Sequence, residues 1–69
     1  MVVRVVIVVL DTARLEEVKA ACEAVGLSQV TALPELHMLH GTIAADRKDA
    51  IGHVPGVKSV EEERDVGIS

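Results

Sequence analysis

Residues 2–10 read Val-Val-Arg-Val-Val-Ile-Val-Val-Leu and are β-branched everywhere except at Arg4 and Leu10. Branching at Cβ crowds a helical turn and suits a pleated sheet, so this run is expected to be a strand. Successive side chains of a strand point to opposite faces. Val3, Val5, Ile7 and Val9 therefore go one way, and Val2, Arg4, Val6, Val8 and Leu10 go the other. Both sets are apolar apart from Arg4, which marks the even set as the outward one. A chain built around this strand needs a core under one face and something to cover the other.

The following segments supply that core. Asp11 or Thr12 can cap a helix in which Leu15, Val18, Cys22 and Val25 recur on one side, with Arg14, Glu16, Glu17, Lys19 and Glu23 on the other. Gly26 stands where a left-handed C-terminal cap belongs. Ser28 to Leu33 is expected to be a second strand stopped by Pro34 at a sheet edge or turn. Leu36 to Ala45 is expected to be a third, with Gly41 marking a bulge or a close backbone approach. Asp46 is expected to cap a short helix through Arg47, Lys48, Ala50, Ile51 and Val54, ended by Pro55-Gly56. Val57 to Glu63 is the fourth strand. The expected domain is 1–63, a ferredoxin-like βαββαβ sandwich of the α+β class, with a four-stranded antiparallel sheet and two helices on one face; 64–69 is a C-terminal tail.

At 69 residues the chain holds one domain at most, and its core must be made without Phe, Tyr or Trp. That leaves no aromatic surface on which bases or sugars could stack. Seven basic against eleven acidic residues give a formal net charge of −4, which argues against nucleic acid or an anionic membrane as partner. The longest apolar run, Val5 to Leu10, is too short to span a bilayer and makes a poor signal peptide. Cys22 is the only cysteine, so no internal disulfide or cysteine-based zinc site can form, and a reducing cytoplasm is the expected location.

Few residues suggest chemistry. His37 and His40, three apart, would share a helix face but diverge on a strand, which speaks against a metal site. His53 near the end of the second helix suits a charge at the helix terminus. Cys22 lies on the apolar stripe and reads as a buried structural thiol. Lys19, Lys48 and Lys58 fall among charged or exposed positions, where nothing would depress an amine for Schiff-base chemistry. No phosphate loop, metal-ligand set or nucleophile elbow occurs, so neither a catalytic residue nor a cofactor is expected. What remains is Val60-Glu61-Glu62-Glu63, where alternation puts Glu61 and Glu63 together on the side opposite the core. They read either as charges that keep an edge strand from aggregating or as acceptors for the positive N-termini of a partner's helices.

The stretch Ile51-Gly52-His53-Val54-Pro55-Gly56-Val57-Lys58-Ser59-Val60-Glu61-Glu62-Glu63 resembles the end of subtilisin propeptides and related stand-alone proteinase inhibitors: a short helix, Pro-Gly-Val, two residues, Val-Glu and further acids. His40-Gly41-Thr42-Ile43-Ala44-Ala45 is similar to their third strand, with Thr42 where an aromatic is common. The resemblance implies a ferredoxin-like fold whose open sheet face docks on two surface helices of a subtilisin-like serine protease. It implies that Glu61 and Glu63 cap those helices while Val66, Gly67, Ile68 and Ser69 fill the substrate cleft like a product, Ser69 nearest the catalytic serine. Arg4, Val6, Val8 and Leu10 would then be open-face contacts. Ser69 is small and polar where subtilisins generally favour a large apolar residue, which implies weak affinity for a typical subtilisin. Without a secretion signal or a protease domain after it, the sequence resembles the free inhibitors or a separately encoded folding helper, an intramolecular-chaperone relative, with an intracellular target or one of unusual specificity. The alternative is a homodimeric or small-ligand regulatory ferredoxin-like module without catalytic activity. Such ligand-binding domains often carry a glycine after the first strand, where this chain has Asp11-Thr12-Ala13.

Overall fold

A computed structural model describes residues 1–63 of the protein. Its strands are β1 (Val2–Val9), β2 (Ser28–Leu33), β3 (Met38–Ala44) and β4 (Val57–Glu62), and its helices are α1 (Leu15–Ala24) and α2 (Lys48–Ile51). The strands form one antiparallel sheet in the order β2-β3-β1-β4. β1 and β2 both run antiparallel to the strand between them, as do β3 and β4, so two βαβ crossovers interlock in a single α+β sheet.

The β-branched run becomes a central strand, paired on both edges. Its odd residues Val5, Ile7 and Val9 are buried and meet Leu15, Val18 and Cys22 of α1, Leu39 and Ile43 of β3, and Ile51 and Val54 from the second crossover. Among the described residues this core contains no polar or charged side chain. Asp11 Oδ1 accepts a hydrogen bond from the Ala13 N–H at 2.9 Å and opens the Thr12–Arg14 3-10 turn that leads into α1. Gly26, at φ +118°, closes the helix. Its N–H and that of Leu27 bond to the Glu23 and Cys22 carbonyls at 3.1 and 3.0 Å, the Schellman pairing.

Three local expectations are corrected, and that for Gly41 is resolved to one of its two forms. β3 begins at Met38, because Pro34–Leu36 form a 3-10 turn that is closed by the His37 N–H on the Pro34 carbonyl at 3.1 Å. His37 is consequently a left-handed residue at φ 56° and not part of a strand. Gly41 is a point of close approach, since a Cβ there would lie 2.9 Å from Leu27 and from the Ser28 carbonyl oxygen. The bulge lies across from it on β2, where the register shifts between Ser28 and Thr31 and Gln29 sits at φ 54°.

The second correction concerns the second crossover. Asp46 falls inside a 3-10 turn (Ala45–Arg47) whose N-cap position is taken by Ala44, so it caps nothing, and α2 is a single turn. Finally, β1 ends at Val9. The register with β4 shifts between Val8 and Val9, and Leu10 lies past the strand, exposed, its N–H bonded to the Gly56 carbonyl at 2.9 Å.

Candidate functional site on the open face of the sheet

Pairing across the sheet sorts the residues opposite the helices into rows. Thr31, His40, Val6 and Glu61 stand in one row from edge to edge, and Leu33, Met38, Val8 and Ser59 in the next. Directly opposed residues in antiparallel strands share a face, so all eight project away from the buried core. Among the described residues no element covers this face. Val6, Val8, Leu33 and Met38 are half-buried by their neighbours alone and make an apolar strip across three strands.

One end of the strip is polar. Arg4 pairs with Thr42 of β3, whose Oγ1 lies 3.0 Å from Ser28 Oγ on β2. Just past β4, the Glu63 N–H donates to the Arg4 carbonyl at 2.8 Å and keeps Glu63 in register beside β1. The Glu63 carboxylate then lies between two cationic or N–H-bearing groups: Oε1 is 3.9 Å from the Arg4 guanidinium and Oε2 is 3.8 Å from His40 Nδ1. The other imidazole nitrogen, Nε2, is sealed and has no hydrogen-bond partner among the described residues. Beside this group is a hollow of about 350 Å³ lined by Arg4, Gln29, Thr31, Leu33, His40 and Glu63.

β4 alternates as its sequence requires. Glu61 is opposite Val6 on the open face, whereas Glu62 is opposite the buried Val5 and reaches Lys48 Nζ at 3.6 Å on the helical side. Of the residues singled out from the sequence, Arg4, Val6, Val8, Glu61 and Glu63 thus come together on one surface. Leu10 stands apart at the strand end, and Val66, Gly67, Ile68 and Ser69 lie outside the described residues. Not foreseen were the contributions of Leu33, Met38 and His40 to that surface and the pairing of Arg4 with Glu63. The outward apolar positions were present in the alternation of the second and third strands; the ion pair depended on a register that one sequence does not specify.

The remaining reactive residues are elsewhere. Cys22 is fully buried, and desolvation followed by the nearby Glu23 charge pushes its thiol pKa up, which leaves it a packing residue. His37 and His53 are exposed in turns. Among the described residues no three His, Cys, Asp or Glu side chains gather to hold a metal ion, and no helix is long and apolar enough to cross a membrane. No family model, no curated protein and no solved structure matches the chain.

Proposed function

We propose that the chain is a protease-binding module of the kind its last strand resembles, a stand-alone inhibitor or folding helper for a subtilisin-like serine protease, without cofactor or catalytic activity of its own. One observation carries this reading: Glu61 on β4 and Glu63 just past it stand at the margin of an uncovered apolar strip, immediately before residues 64–69 in the sequence. An uncovered strip of Val6, Val8, Leu33 and Met38 gains by burial against a partner. A carboxylate beside it can accept the unsatisfied N–H groups at the start of a partner's helix, a capping interaction worth about 0.5–2 kcal/mol. Residues Val66 to Ser69 would then enter the substrate cleft as an extended, product-like segment that pairs with the cleft's backbone. A reducing cytoplasm suits the lone thiol Cys22, so we place the target there.

Inhibition of a panel of subtilisin-like proteases tests the reading. The intact chain is expected to inhibit at least one of them and to be cleaved only over hours by intact mass. A chain ending at Asp65 should keep its far-UV circular dichroism and lose inhibition at least tenfold, about 1.4 kcal/mol. Rapid digestion, or equal inhibition by the shortened chain, would contradict it.

The same uncovered strip favours a second reading, in which two copies cover each other's sheet faces in a regulatory dimer. Sedimentation at dilute concentration separates the two, since the inhibitor reading expects a monomer there.

A further inference from the structure

Glu61 and Glu63 look equivalent in the sequence, yet their surroundings differ. Glu61 is exposed and makes no ion pair among the described residues. Glu63 is half-buried; its N–H donates to the Arg4 carbonyl at 2.8 Å, and its carboxylate lies within ion-pair range, beyond hydrogen-bond reach, of the Arg4 guanidinium at 3.9 Å and His40 Nδ1 at 3.8 Å. With its proton on Nδ1 the imidazole turns an N–H toward the carboxylate. Placing the ring there leaves Nε2 buried without a partner, and a sealed, unsatisfied nitrogen is costly, so the arrangement is not the default for a surface histidine.

Arg4 and His40 partly balance the Glu63 charge, whereas Glu61 has no cationic neighbour among the described residues. From this we infer that Arg4 and His40 are positioning residues that clamp Glu63 as the fixed root of the C-terminal segment, and that Glu61 alone is the acid offered to a partner. The inference rests on the protease-binding reading and divides its two acids between two tasks. Arg4 acts from β1, an inner strand paired on both edges, so Glu63 is held in register by the core of the fold. A Glu63 already held in place lowers the ordering cost of binding at that residue.

Amide hydrogen exchange in the free chain, read by NMR, tests the clamp without any protease. Arg4→Gln should speed exchange at the Glu63 amide about three- to fivefold, the range expected for losing exposed ion pairs, and leave the Ile7 amide unchanged. Arg4→Lys should restore most of the protection. Raising salt to about 0.5 M should speed Glu63 exchange in the natural chain and do little to Arg4→Gln, a response that a purely steric role for Arg4 would not give. Unchanged Glu63 exchange in Arg4→Gln, with Ile7 still protected, would overturn the clamp.

Inhibition then tests the division of labour. Arg4→Gln and Glu63→Gln should be non-additive with each other, while Glu61→Gln adds in full to either. Equal coupling of Arg4 to both acids would overturn it. If the natural chain inhibits nothing, the protease-binding reading and the role given to Glu61 fall together, and the exchange result alone decides whether Glu63 is clamped.

Discussion

A thiol sealed from water keeps its proton, and Cys22 is the residue at which this has a measurable consequence. Its pKa in the folded chain is raised above the ordinary 9.0, first by burial and then by Glu23. The folded chain therefore holds a proton that the unfolded chain releases at lower pH. The stabilisation is whole below the unfolded value and is lost as pH rises from there toward the folded one. The urea midpoint should accordingly fall between about pH 8 and pH 10 more steeply for the natural chain than for Cys22→Ala. Parallel slopes in the two chains would show that the thiol is not sealed. This burial was legible in the sequence, because Leu15, Val18 and Cys22 recur at helical spacing and all three are buried. The partnership of Arg4 with Glu63 was not, since nothing local to either residue signals the other.

At the scale of elements, legibility followed how much apolar surface each segment commits. β1 and the apolar stripe of α1 stand where their patterns put them, apart from Leu10, which falls past the strand, and the 3-10 turn that Asp11 opens before α1. α2 shrinks to one turn because only Ile51 within it is buried, and a turn that short has neither a side-chain cap nor many intrahelical bonds to extend it. The loop before β3 departed from expectation because Pro34 sets a tight turn that draws Leu36 and His37 out of the strand. Gly41 was legible as a special position, although the bulge it accompanies is on the neighbouring β2. Gly41→Ala should lower stability by about 1–3 kcal/mol in urea unfolding followed by far-UV circular dichroism, because the Ser28 carbonyl oxygen is backbone and yields less readily than the Leu27 side chain. An unchanged midpoint would mean that β2 and β3 separate without cost.

For the molecule as a whole, the decisive property was present in the first ten residues: a central strand apolar on both faces has one face for its own helices and one left over. The order βαββαβ determines which is which, since both crossovers return over the odd face and bury Val5, Ile7 and Val9. The surface that results has an apolar strip, one exposed acid and one clamped acid, and its use as a docking face is the central claim. The most direct test compares two equal charge additions, Val6→Arg on the open face and Ala20→Arg at an exposed position of α1, against a protease that the natural chain inhibits. With both variants folded by circular dichroism, Val6→Arg should weaken inhibition at least tenfold, about 1.4 kcal/mol, and Ala20→Arg should stay within about threefold of the natural chain. Equal inhibition by the two variants, or a greater loss from Ala20→Arg, would mean that the sheet face is not the working surface.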